Sequence, residues 1–121
     1  MIKLNWRDVK PGIAHEVGLD WQLLRGQSLK DPNVPTACME TMMYTAFAML
    51  QPGQAYHAHS HDDHEEVYFI ISGTGEMEID GETQPIRDGD IVFIALNQLH
   101  SIKNTGTEFM QFLAFAAQVQ E

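Results

Sequence analysis

The sequence predicts an all-β fold, a sandwich or a barrel. Gly and Pro interrupt the chain at short intervals, at Pro52-Gly53, Gly73, Gly75, Gly81, Pro85, Gly89 and Gly106. The pieces between these breaks either alternate apolar with polar residues or are rich in β-branched and aromatic side chains. Many short strands at regular spacing, with turn signals between them, mark sandwiches and barrels. The Asp80-Gly81 pair, flanked by such pieces, is a two-residue hairpin signal.

Each element follows in chain order. Residues 18–26 (GLDWQLLRG) alternate and read as a strand. The stretch Lys30–Thr36 (KDPNVPT) carries two prolines and reads as a loop. Thr36–Leu50 is rich in Ala and Met, which favour helix, but also contains Thr41, Tyr44, Thr45 and Phe47 and stops at Pro52-Gly53. It is predicted as strand, because its neighbours on both sides are strands. VYFIIS (67–72) is a near-continuous run of β-formers. GEMEID (75–80) puts Met77 and Ile79 on one face and Glu76, Glu78 and Asp80 on the other. DIVFIAL (90–96) and EFMQFLAFAA (108–117) complete the set.

Length and composition bound the function. A chain of 121 residues is expected to form one domain. Folding should bury roughly two thirds of its surface, enough for a core without disulfide staples. The 44% apolar and 20% charged content excludes disorder and coiled coil. Seven basic residues against seventeen acidic ones give a net charge of −10, which argues against nucleic acid and against anionic membranes. No apolar run approaches the roughly 20 residues a bilayer span needs. The N-terminal stretch MIKLNWRDVKPG does not read as a signal peptide. Cys38 is the only cysteine, so a reducing, cytoplasmic location is expected.

Four of the six histidines, His57, His59, His61 and His64, fall within eight residues. On a strand, His57, His59 and His61 would share one face. Three imidazoles make a poor core surface and a good cation site. A solvated loop with incidental metal affinity has the same composition, and a fourth donor from elsewhere separates the two readings. His100, just after the apolar run 91–96, is that donor.

The residues also carry a family resemblance. Gly53, His59, His61, Glu66 and Gly73 fill every defined position of the pattern G-x5-H-x-H-x3–4-E-x6-G. Gly89, His100 and Asn104 match a second pattern, G-x5-P-x-G-x2-H-x3-N, in which Ala95 replaces proline and Asn97 replaces glycine. Asn tolerates a left-handed backbone better than most residues, whereas Ala95 suggests a less rigid turn before His100. Together the two patterns resemble the cupin superfamily and span residues 53–104.

The resemblance implies an antiparallel β-barrel of jelly-roll type, with N-terminal strands up to residue 35 and the barrel over 36–117. It implies one divalent metal ion per chain, held by His59, His61, Glu66 and His100. Three nitrogens and one oxygen suit Fe, Mn, Ni or Zn, and donor type alone does not choose among them.

His57 shares parity with His59 and His61 and is a pocket candidate, with partial exposure at the strand start as the alternative. Tyr68, Ile70 and Ile102 follow inward by alternation and are pocket candidates too, although packing is the simpler role for the isoleucines. His64 and His15 are expected to be solvated. Met39, Met42, Met43 and Met49 suit either an apolar pocket or a core or dimer face. Cys38 is expected to be a small buried residue. In small cupins the N-terminal strands often pair with a second subunit, so a homodimer is expected, with Trp6 and Trp21 fitting such an interface.

The resulting expectation is a metal-dependent enzyme acting on a small organic molecule, by dioxygenase, decarboxylase, lyase or isomerase chemistry. The second possibility is a metal- or ligand-sensing module without turnover. No catalytic residue is singled out. A transcription regulator is disfavoured, since the length leaves no room for a DNA-binding domain beside the barrel.

Overall fold

A computed structural model describes residues 1–27 and 34–119. A 3-10 turn at Trp6–Asp8 precedes β1 (Gly12–Ala14), β2 (Gly18–Gly26), β3 (Ala37–Met39), β4 (Met42–Leu50) and β5 (His64–Ser72). Then come β6 (Thr74–Ile79), β7 (Glu82–Arg87), β8 (Ile91–Ile94), β9 (His100–Asn104) and β10 (Met110–Gln118). The seven-stranded sheet runs β1-β2-β4-β10-β5-β8, with β3 beside β2. The smaller sheet runs β7-β6-β9. Every strand pair is antiparallel except β2–β3. The two sheets are not closed into one continuous barrel. Among the described residues no helix is long and apolar enough to cross a membrane.

The inward faces of both sheets supply the core. Leu50, Ile70, Ile94, Ile102, Met110 and Phe112 are fully buried there. Burying each such side chain contributes about 1.5–3 kcal/mol. Ile70 and Ile102, expected at a pocket, are thus packed against other apolar side chains.

Local chemistry explains the turns. Asp80 and Gly81 both take left-handed backbone (φ 49° and 86°), as a type I′ hairpin requires, and Ile79 pairs directly with Glu82. Asn97 is left-handed as well (φ 64°), the conformation that its glycine-like position in the motif implied.

Four expectations need correction. Thr36–Leu50 is not one strand: the exposed bend at Glu40–Thr41 separates β3 from β4, and β3 turns to lie parallel to β2. Residues 57–61 are not in a regular strand either. They form an extended segment tied to β9 by an isolated bridge, with His59 N–H donating to the His100 carbonyl (3.0 Å) and His100 N–H to the His59 carbonyl (2.9 Å). Cys38 is half-buried. The turn before His100 is held firmly despite Ala95. The Gln98 side-chain carbonyl accepts from Ala95 N–H (2.9 Å), and Asn97 N–H donates to the His61 carbonyl (2.7 Å). Of the predicted loop Lys30–Thr36, residues 30–33 lie outside the described residues.

Candidate metal centre

Three segments converge at one end of the sheets. The backbone bridge between His59 and His100 joins the first histidine segment to β9 and sets their rings 4.2 Å apart. The Asn97–His61 backbone bond fixes the second histidine from the same turn. Strand β5 contributes the rest, because alternation turns His64, Glu66 and Tyr68 to the buried side and Glu65 to the surface.

The proton positions on these rings follow from their partners. Nδ1 of His59 lies 3.0 Å from the His57 carbonyl, and Nδ1 of His100 lies 2.9 Å from the Gln98 carbonyl. A carbonyl only accepts, so Nδ1 carries the proton and Nε2 the lone pair. The carboxylate of Asp63 accepts from His64 Nδ1 at 2.6 Å, with the same result. Nε2 of His59, His61, His64 and His100 and Oε1 of Glu66 are all buried and have no hydrogen-bond partner within the protein. Glu66 Oε1 lies 3.3 Å from His61 Nε2 and 3.7 Å from His100 Nε2. An unsatisfied buried polar atom costs about 1–3 kcal/mol, so five at one place form a surface built for a charged or polar guest.

Electrostatics agree with that. Burial, then repulsion from His64 and His59, lowers the His61 pKa to about 4, with Asp63 opposing. Burial also lowers His100. Both rings are therefore neutral near pH 7, the form that offers a lone pair to a cation. The donor atoms of His59, His61 and His100 lie within 4.8 Å of one another, as do those of His61, His64 and Glu66, so either group could hold a metal ion.

Beside the cluster lies a cavity of about 230 Å³. Its floor is Ala46, Ala48 and Ala114, and its walls include Asp20, Gln22, Tyr44, Tyr56 and Tyr68. The Tyr44 hydroxyl donates to Glu66 Oε2, which leaves Oε1 facing the histidines. Burial raises the pKa of all three tyrosines, so their hydroxyls stay protonated. The Asp20 carboxyl is also raised, first by burial, while its bond to Gln22 works the other way. Among the described residues no Lys or Arg lines this space.

Tyr68 thus lines the cavity, whereas Ile70, Ile102 and the four methionines of 39–49 do not. His57, also expected at the pocket, is exposed and does not line the cavity, with its ring 6.3 Å from that of His59. His64 and His15 are not solvated, contrary to expectation. His64 is only 7% exposed, because β5 begins three residues earlier than VYFIIS and its alternation carries His64 inward with Glu66. His15 is half-buried on the tight β1–β2 turn, in left-handed backbone (φ 50°), and stacks on the His59 ring at 4.0 Å. Burial first, then the neighbouring histidines, lowers its pKa to about 4. Tyr44 and Asp20 were not anticipated at all, since β4 and β2 carry no motif.

Comparison with known proteins places this arrangement in a family. The cupin domain model matches residues 46–116, more than half of the chain. An oxalate-binding protein from Thermotoga maritima is 38% identical over 65 residues, 54% of each chain. Polyketide synthase CurC from Streptomyces cyaneus is 30% identical over 100 residues, 83% of this chain and 65% of that protein. The chain therefore spans about half to two thirds of these relatives. A predicted oxalate decarboxylase from Thermotoga maritima has a similar fold, with a TM-score of 0.80 and 23% identity over 98% of this chain and 100% of that one. With two facing β-sheets, both histidine motifs meeting through one backbone bridge, and a family model covering β4 to β10, this chain belongs to the cupin family.

Proposed function

We propose that the chain is a metal-dependent enzyme that holds one divalent ion with His59, His61, Glu66 and His100 and acts on a small organic molecule in the adjoining cavity. One observation carries this reading: the unpartnered Nε2 atoms and Glu66 Oε1 converge at the edge of an open, tyrosine-lined space. Three imidazoles and a carboxylate fit Mn, Fe, Ni or Zn. A bound ion would supply Lewis acidity or an oxygen-binding centre.

The protein's own groups do the rest. At roughly 30 Å³ per water, the 230 Å³ cavity holds the equivalent of about eight water-sized groups. The alanine floor provides that room, and the tyrosine rings give it apolar walls with hydroxyl donors. Asp20, with its raised pKa, can hold or deliver a proton to a bound molecule. With Asp20 and Glu66 in the walls and no Lys or Arg there among the described residues, the walls suit an uncharged hydroxylated or aromatic molecule, and only the ion itself would draw an anion. A cavity that is open and carries a proton-transfer group favours catalysis over sensing.

The second reading, a binding module without turnover, has one specific support: a relative bears the name oxalate-binding protein. A screen of small organic molecules against metal-loaded protein separates the two. The enzyme reading predicts turnover that chelation abolishes and that Asp20→Asn lowers in kcat while metal content is kept. Saturable binding without any product would favour the module.

A homodimer is also proposed, through a different face from the one expected. Trp6 stacks on Phe47 (4.6 Å) and packs edge-on against Trp21 (5.2 Å) within its own chain. On the outer face of the large sheet, Phe47, Leu113, Phe69 and Ile91 stand directly opposite one another across β4, β10, β5 and β8. Phe115, Val67 and Phe93 form a second row. Phe69, Ile91 and Phe93 are exposed. For a chain of charge −10, these apolar rows are where a second copy can approach with least repulsion.

A further inference from the structure

We propose that His64 is a fifth protein ligand to the metal ion, so that this chain offers four imidazoles and one carboxylate rather than the three imidazoles and one carboxylate of its family pattern. The proposal rests on the metal reading above and adds a residue to it.

His64 opens β5, and the strand's alternation turns it to the same face as Glu66 and Tyr68. Its side chain is buried, at 7% exposure, and its two ring nitrogens are in opposite situations. Nδ1 is satisfied by the Asp63 carboxylate at 2.6 Å, whereas Nε2 is buried and unpartnered. A histidine buried merely to fill space would have both nitrogens satisfied or its ring in an apolar setting. Instead, the His64 ring stacks on that of His61 (centroids 4.1 Å apart, planes at 28°). The carboxylate on its far nitrogen is the arrangement that orients a metal-binding imidazole.

The distances allow ligation. The donor atoms of His61, His64 and Glu66 lie within 4.8 Å of one another. With metal–donor bonds of roughly 2.1 Å, donors in an octahedron are about 3.0 Å apart when adjacent and about 4.2 Å when opposite. Small side-chain rotations therefore bring this triad onto one ion. The second triad, His59, His61 and His100, shares His61 with the first, and Glu66 Oε1 touches both at 3.3 Å from His61 and 3.7 Å from His100. The two triads therefore share His61 and meet at Glu66, and ligation by all five would need His64 to close on the second triad.

The fifth donor changes what the site can accept. On a six-coordinate ion, four protein donors would leave two positions for a chelating ligand, whereas five would leave one. A bidentate molecule must then displace His64, while a ligand with one donor atom need not. His64 acts as a selector against chelating anions, in keeping with cavity walls that carry Asp20 and Glu66 and, among the described residues, no Lys or Arg.

Imidazole nitrogen NMR on the full chain tests this. Zn(II) is titrated into protein labelled with ¹⁵N at histidine. Four Nε2 resonances are expected to leave the lone-pair region together by one equivalent of Zn(II), and His64→Gln is expected to leave three. His64→Gln should also bind oxalate, used as a chelating probe, about tenfold more tightly to its Zn(II) form than wild type does. Three shifted resonances in the wild type, with His64 Nε2 unmoved, would overturn the assignment and leave the metal reading intact. A wild type that takes up no Zn(II), Mn(II) or Fe(II) would overturn both. Should His64→Gln fail to fold, the wild-type count decides alone.

Discussion

Removing the Tyr44 hydroxyl takes away the donor that holds Glu66 Oε2. Partners of this kind, one bond away from a metal ligand, typically change affinity by about 10–100-fold when lost. Tyr44→Phe is therefore expected to weaken divalent metal binding by that factor in a competition titration while leaving the thermal midpoint of the metal-free protein nearly unchanged. An unaltered affinity would show that Glu66 needs no such support. His59, His61, Glu66 and His100 could be singled out from sequence because their spacing is fixed by two local segments. His64 could have been found too: the parity that sends Tyr68 inward from Glu66 also sends His64 inward, once the strand is extended two residues back from Glu66. Tyr44, Asp20 and His15 left no such trace. They meet the cluster only through pairing of β1, β2, β4, β10 and β5, and strand pairing between distant segments is not written in local pattern.

At the scale of elements, the motif residue Asn104 proves structural. It is fully buried at the end of β9, and its amide donates to the Leu50 and Glu108 carbonyls (both 2.9 Å) while its oxygen accepts from Gly106 N–H (2.9 Å). These bonds tie β9 to the end of β4 and to the turn before β10. Leaving such groups unsatisfied costs about 1–3 kcal/mol each, so Asn104→Ala should lower unfolding free energy by roughly 2–4 kcal/mol in urea titration without removing a metal ligand. A loss below about 0.5 kcal/mol would contradict that role. Strands with strong alternation were legible: β2 has the predicted limits, Gly18–Gly26, and β6 buries Met77 while exposing Glu76 and Glu78. The short strands β1 and β3 were not, because three residues carry too little periodicity to register. The histidine segment has a strand's spacing without being one, because the bridge to His100 and the Asn97–His61 bond, rather than a ladder, hold it extended.

For the molecule as a whole, the acidic charge and the histidine cluster act on different properties. Ten of the seventeen acidic residues lie between Asp62 and Asp90, and Glu76, Glu78, Glu82 and Asp88 among them are exposed. His15 and His61 should make stability depend on pH in the acid range. His15 and His61 have folded-state pKa values of about 4 against 6.5 for the unfolded chain. Between those values the unfolded chain holds protons that the folded chain does not. Stability of the metal-free protein should therefore fall as pH drops from about 6.5 towards 4 and level off below. Thermal midpoints at pH 7.5, 5.5 and 4.5 check this, and a flat profile would contradict it. For the proposed dimer, sedimentation should give about twice the 13.7 kDa chain mass, and Phe93→Glu should shift it to the monomer. A monomeric wild type at micromolar concentration would rule out that interface. The central claim, a divalent ion held by the two histidine motifs, is tested most directly by elemental analysis of purified and reconstituted protein. The account predicts about one Mn, Fe, Ni or Zn per wild-type chain and far less in His59→Ala and His100→Ala. No metal in the wild type after reconstitution, or equal metal in all three proteins, would contradict it.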